Sequence, residues 1–195
     1  MGSDTTLFHG TDSTAYRVSE RIRFGHNRFF LRLLAQARCG QAFNQSDRVL
    51  DVGCGDARYF TQLWTNVVGE FGRPEFVHGI DSQNIEAQDS TSESGGFKLQ
   101  QIDFFDFTSE NKWDVVYSSF CHAWLRAPRS SEETEAGRDD LIGSKLQTLI
   151  KPGGWFAGHY PGERDFFPYY NRLVVAALKR IASGVRPMPP NLLPA

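Results

Sequence analysis

A chain of 195 residues is long enough for one domain with a substantial core, and 40% hydrophobic with 23% charged residues is ordinary for a globular protein. A net charge of −2 excludes the strong basic excess of a general nucleic-acid binder. No apolar run approaches the roughly 18 residues of a transmembrane helix, the N-terminus lacks a secretory h-region, and Cys39, Cys54 and Cys121 form neither a C-x-x-C pair nor a disulfide framework, so the chain reads as cytoplasmic.

Residues 1 to about 14 are polar and turn-rich and read as surface chain. From Tyr16 to Ala37 the pattern is helical. Phe29, Phe30, Leu33, Leu34 and Ala37 make one apolar face, and Arg17, Arg21, Arg23, Arg28 and Arg32 decorate the rest. Arg48 to Phe60, RVLDVGCGDARYF, is the stretch around which the remaining elements are organised. Val49, Leu50 and Val52 suit a buried strand, Gly53 and Gly55 break it, and a helix-compatible stretch runs from Ala57 to Glu70. Strand, glycine turn and helix are the first half of a nucleotide-binding βα unit. The glycines let backbone approach a ligand closely, and the helix is expected to aim free N–H groups at the same place. Arg58 stands where the dinucleotide fingerprint needs glycine or alanine. The Asp51 carboxylate would crowd a pyrophosphate but could meet a cation.

Asp51, Gly53 and Gly55, with Ala57 in the third glycine place, resemble motif I of the class I S-adenosylmethionine-dependent methyltransferases. The resemblance implies an α/β fold with a Rossmann-like open, mainly parallel sheet, helices on both faces, and S-adenosyl-L-methionine as cofactor. It implies cofactor contacts from Asp51, Gly53, Cys54 and Gly55, and one domain over 1–195 in three parts. Residues 1–46 would form a helical cap, 47–160 the cofactor-binding core, and 161–195 a partial lid with a Pro-rich tail. An arginine near Tyr16 could reach the methionyl carboxylate; the resemblance does not choose which.

Glu75 to Ile80, EFVHGI, reads as a second strand with Asp81 directly behind it. An acid about 25 residues beyond the glycine turn is placed to accept from ribose hydroxyls, with Ser82 beside it; the competing role is a helix cap. Ser90 to Gly96 looks like a surface loop. Phe97 to Ile102, FKLQQI, alternates well enough for a third strand and ends in Asp103-Phe104. The family places an acid here for the adenine amino group and an apolar side chain against the ring. Asp103 and Phe104 match by position, and Asp106 competes if the register of IDFFDF shifts; the competing reading is a core aromatic cluster with exposed acids.

Trp113 to Ser119, WDVVYSS, is the fourth strand. Ligands of open α/β sheets lie at the carboxyl ends of the strands, so Ser118 to Leu125, SSFCHAWL, would face cofactor and substrate. The string is similar to the S-N-x-x-x-x-W-L segment of small-molecule methyltransferases related to trans-aconitate methyltransferase, with Ser119 in place of the common Asn. The likeness implies cofactor contacts at Ser118 and Ser119. It brings His122 within one place of a histidine that often precedes the tryptophan; the competing reading is a core histidine. Asp139 or Asp140 could cap a helix through Leu141, Leu146, Leu149 and Ile150. Lys151-Pro152-Gly153-Gly154, the family's L-x-P-G-G-style turn, is expected to stop it, and Trp155 to Ala157 to start a fifth strand with His159 at its far end. Tyr169 to Ile181 then reads as a lid helix. The family fold closes with an antiparallel hairpin against the fifth strand. That hairpin is expected to be lacking, with the strand covered by the tail, paired with a second subunit in a homodimer, or left so by an incomplete chain.

The expected chemistry is methyl transfer from a sulfonium donor to an oxygen or nitrogen of a small molecule, a carboxylate among the candidates. His122 and His159 are the bases to consider if the acceptor is a hydroxyl. No metal, nucleic-acid or membrane partner is expected. Two rivals stand beside this: a non-catalytic cofactor-binding or partner-stabilising protein, and an NAD-dependent oxidoreductase, against which Arg58 counts.

Overall fold

The computed structural model describes residues 13–38, 40–82, 96–119, 121, 125 and 127–159, with 13–22, 67, 135 and 159 described by their backbone. Two compact units divide the chain, residues 29–161, and residues 1–28 with 162–195. The described part of the second is the beginning of helix α1 (Ser13–Ala37), where the Asn27 amide donates to the Arg23 carbonyl one turn back (2.8 Å).

The sheet unit runs β1 (Arg48–Val52), α2 (Ala57–Gln62), β2 (Phe76–Asp81), β3 (Phe97–Gln101), β4 (Trp113–Ser119), α3 (Glu135–Leu149) and β5 (Ile150–His159). All pairings are parallel and the order is β3-β2-β1-β4-β5. The order therefore reverses between β1 and β4, and the carboxyl ends of these strands flank the crevice where such sheets take ligands. This is the Rossmann-like parallel sheet expected from the sequence. The expected lid, tail and missing hairpin fall on residues outside the described ones.

β1 and β4 read as near-continuous apolar runs because both faces of the sheet are covered. On one face Leu50, Val52, Ile80 and Val116 pack with Phe104, Phe107 and Trp113, and with Ile142 and Leu149 of α3. On the other, the Tyr117 ring meets Phe30 of α1, Phe43 and Trp64 at centroid distances of 6.0, 6.0 and 5.8 Å. Burying one such side chain contributes about 1.5–3 kcal/mol. His78 of β2 is buried beside Phe76, Phe107 and Trp113. Burial, with the charges of Lys98 and Arg48, pushes its pKa down to about 4 against an opposing hydrogen bond with Gln100, so the ring is neutral at pH 7.

Three elements differ from their sequence-based outlines. Helix α3 starts at Glu135 behind Thr134, whose hydroxyl accepts from the Gly137 N–H (3.1 Å), and not behind Asp139 or Asp140. The stretch from Ala57 to Glu70 is α-helical only to Gln62; Leu63–Val67 form a wider turn and Val68–Glu70 a tighter one. The wider turn holds Trp64, whose ring packs on Phe43 and whose indole N–H reaches back to β1. The fifth strand begins at Ile150, opposite Trp113, and resumes its register at Trp155 opposite Val115. Lys151–Gly154 bulge between those two pairs. Gly153 has φ of 77°, and a Cβ on Gly154 would lie 2.9 Å from the Asp114 carbonyl oxygen. Among the described residues no helix is long and apolar enough to cross a membrane, and no cluster of His, Cys, Asp and Glu could hold a metal ion.

Candidate functional site

The chain leaves β1 inside the sheet and must enter α2 within four residues. Gly53 and Gly55 make that turn with φ of 73° each, a region that costs a side-chain-bearing residue about 1–2 kcal/mol. They are not equivalent. A Cβ on Gly53 would stand 2.3 Å from the Cβ and 2.4 Å from the Sγ of Cys121, whereas one on Gly55 would meet nothing nearer than Tyr59 Cδ1 at 3.5 Å. Gly53 makes room for Cys121; Gly55 leaves room beside the turn.

The N–H groups of the turn are taken up within the protein. Gly53 and Cys54 both donate to the Ile80 carbonyl (2.8 and 3.2 Å), and Gly55 donates to Asp81 Oδ2 (2.9 Å). Asp56 caps α2 by accepting from the Tyr59 N–H (2.7 Å). The expectation that turn and helix would offer free donors to a ligand therefore fails at these four groups. The end of β2 claims three of them, and the cap claims the fourth.

Acids border the turn instead. Asp51 is 1% exposed, and its Oδ2 accepts from Trp64 Nε1 at 2.7 Å. Burial pushes its carboxyl up to about 7; the Trp64 hydrogen bond opposes this and the charge of Asp81 adds to it. Burial, with the charges of Asp51 and Asp81, also raises the free thiols of Cys54 and Cys121, so both stay protonated and are poor nucleophiles. Ser82 follows Asp81 and is exposed. At the end of β4, Ser118 is buried opposite Val52, and its Oγ has no hydrogen-bond partner among the described residues. Ser119 is half-buried and pairs in register with His159 of β5.

Asp51, Gly53, Cys54, Gly55, Asp81 and Ser118 thus converge at the ends of β1, β2 and β4. Asp103 and Phe104 follow β3, at the edge of the sheet. Asp103 Oδ1 accepts from the Phe105 N–H (2.9 Å) and Oδ2 from Arg129 Nη2 (2.6 Å). Phe104 is buried in the core cluster with Leu50, Val52 and Ile80. The competing acid Asp106 is exposed, and its N–H donates to the Asp103 carbonyl (3.1 Å). His122 and the side chain of His159 lie outside the described residues. Sequence reasoning missed two side chains here. Trp64, which holds Asp51, looks in the sequence like one more core aromatic. Arg129, which holds Asp103, sits in a charged, irregular stretch with no pattern to single it out.

The sequence profile of a family described as methyltransferase domain matches residues 43–181. No curated protein sequence matches the chain. Similar solved structures include the N-methyltransferase NodS from Bradyrhizobium japonicum WM9, at 13% identity and a TM-score of 0.49, covering 85% of this chain and 84% of that one. DesVI from Streptomyces venezuelae is 14% identical with a TM-score of 0.49, covering 86% of this chain and 61% of its own. The sugar N-methyltransferase KedS8 from Streptoalloteichus sp. ATCC 53650 is 16% identical with a TM-score of 0.47, covering 86% and 57%. The chain spans less than two thirds of the latter two.

Proposed function

The chain belongs to the methyltransferase-domain family, and on that premise we propose that it transfers the methyl group of S-adenosyl-L-methionine to an oxygen or nitrogen atom of a small molecule, a carboxylate among the candidates. The observation that carries this is the glycine turn. Its three N–H groups are engaged by Ile80 and Asp81, and two acids flank it. A diphosphate would find those donors taken and carboxylates alongside. A ligand with a positive charge and ribose hydroxyls would find acceptors, so the residues present fit the cofactor.

When bound, the cofactor supplies an electrophilic methyl group that needs alignment more than activation. In this reading Asp81 accepts from the ribose hydroxyls with Ser82 beside it, and Asp51 faces the cationic amino-acid portion across Gly53, Cys54 and Gly55. Asp103 accepts from the adenine amino group, and Phe104 backs the ring. Ser118 and Ser119, at the end of β4, complete the cofactor contacts. A carboxylate acceptor needs no base, whereas a hydroxyl acceptor would call on His122 or His159. The finer likeness, to enzymes related to trans-aconitate methyltransferase, rests on Ser118 to Leu125. The net charge of −2 favours a small acceptor over nucleic acid. A cytoplasmic location is part of the proposal, supported by the free thiols of Cys54 and Cys121.

Calorimetric titration of the purified chain tests it. S-adenosylmethionine is expected to bind and NAD is not; Asp81→Ala should weaken the former by about tenfold or more, from the strength of a charge-assisted hydrogen bond. Unchanged affinity would remove Asp81 from the site, and binding of NAD without S-adenosylmethionine would overturn the reading. Binding without turnover over a broad acceptor panel would favour the non-catalytic alternative.

A further inference from the structure

We propose that Arg129 sets the affinity of the cofactor site, because its guanidinium and the adenine amino group compete for the same carboxylate oxygen of Asp103. The proposal rests on Asp103 as the adenine-facing acid and adds to it a residue from the connection between β4 and α3.

Asp103 has two oxygens with different duties. Oδ1 accepts from the Phe105 N–H at 2.9 Å, a local turn that shapes the exit from β3. Oδ2 accepts from Arg129 Nη2 at 2.6 Å, across 26 residues of sequence. The proposal assigns the base edge to Oδ2, the oxygen not tied into this local turn, and Arg129 stands on it.

Arg129 does not depend on Asp103 to stay where it is. Its backbone N–H donates to Glu133 Oε2 (2.6 Å), and its guanidinium lies over the Phe105 ring at 5.1 Å from the centroid. Phe105 is itself held firmly. The buried Arg138 guanidinium lies 4.1 Å from its ring centroid, and Lys145 Nζ donates to its carbonyl (2.8 Å). Arg138 is fixed in turn by its Nε donating to the Leu125 carbonyl (3.0 Å). When Arg129 gives up Oδ2 it keeps the aromatic face and its backbone anchor, so the exchange disturbs little else. The ion pair is also partly wet, with side-chain exposures of 47% for Arg129 and 22% for Asp103. A pair of that kind is weak enough for a ligand to displace and strong enough to register in a dissociation constant, at about two- to fivefold.

The test titrates the full chain with S-adenosylmethionine, adenosine and purine riboside, the last lacking the amino group. Arg129→Ala is expected to tighten S-adenosylmethionine and adenosine about two- to fivefold and to leave purine riboside unchanged. The gain should vanish in an Asp103→Asn background. Because adenosine is neutral, raising the salt should bring wild-type affinity toward that of Arg129→Ala without any mutation. Adenosine binding that is unchanged or weaker in Arg129→Ala, with no salt response in the wild type, overturns the proposal. So does equal tightening of both nucleosides. If Asp103→Asn binds adenosine as well as the wild type does, the adenine role of Asp103 is what fails. If Asp103→Asn weakens adenosine while Arg129→Ala does not tighten it, the competition alone fails.

Discussion

At the amino ends of the strands, Asp114 accepts from the Arg48 N–H (2.8 Å) and from Lys151 Nζ (2.8 and 3.0 Å), tying the starts of β1, β4 and β5 together. Beside it Asp47 accepts from Arg38 (2.7 and 3.2 Å) and from the Asn44 N–H (2.8 Å). At the carboxyl ends the corresponding acid, Asp51, accepts from the neutral indole of Trp64 in place of a cation, and Ser118 Oγ has no partner among the described residues. Burial acts on both carboxyls but the outcome differs. It would raise Asp114, yet the hydrogen bonds from Lys151 and Arg48 and the Lys151 charge hold that group below the usual carboxylate range. Asp51 is left high, at about 7. One edge of the sheet has its charges matched and serves stability. At the other, Asp103 is matched by Arg129, but the buried Asp51 has only the Trp64 indole against it and no cation among the described residues.

The contrast between the two edges breaks most visibly at Gly53. Gly53→Ala forces a Cβ into the Cβ and Sγ of Cys121 at a positive φ, and is expected to destabilise by about 2–5 kcal/mol, the sum of strain and overpacking. Urea unfolding measures it. A partial rescue by Cys121→Gly would tie the loss to that contact, and a wild-type midpoint for Gly53→Ala would show that the turn is not so confined.

pH separates the next two effects, which have opposite signs. The Asp51 carboxyl is raised from 3.8 to about 7, so the folded state binds the extra proton; its contribution is full below 3.8 and lost as pH rises through 7, roughly 4 kcal/mol in all. His78 is lowered from 6.5 to about 4, so the unfolded state binds the extra proton; its contribution is full above 6.5 and lost as pH falls through 4, roughly 3 kcal/mol. Melting curves between pH 4 and 7.5 should therefore look flat for the wild type. In Asp51→Asn stability should fall toward acid, and in His78→Leu it should fall toward pH 7. A flat profile in both variants would count against both shifts. The cationic cofactor should also bind more tightly as pH rises through 7 and Asp51 ionises.

Asp114→Ala should give the smallest change and the sharpest contrast. Removing its hydrogen bonds at a partly exposed position is expected to cost about 1–2 kcal/mol while leaving the S-adenosylmethionine dissociation constant within about twofold. A large change in affinity would mean that the amino edge of the sheet reaches the site.

Much of the fold and the site is legible in the chain because the relevant signals are local. Val49 to Val52 followed by two glycines is a buried strand entering a tight turn, and Asp81 closes β2 while Asp103 stands two residues past β3. The wide turn at Leu63–Val67 is not legible, since helix propensity continues through it and only packing around Trp64 marks it. The start of β5 is obscured for a related reason. Lys151-Pro152-Gly153-Gly154 looks like a terminator, but Ile150 already pairs with Trp113 and the four residues bulge outward, with Lys151 reaching Asp114.

The chain by itself determined the succession of strands and helices, the glycine turn, and which acids would stand at strand ends, since each depends on residues a few places apart. Only the tertiary structure decided what those groups meet: Trp64 on Asp51, Cys121 against Gly53, the Ile80 carbonyl on the turn's N–H groups, Arg129 on Asp103. Those partners come from separate segments brought together by the parallel sheet. No local periodicity encodes which distant donor will reach a given carboxylate once water has been excluded.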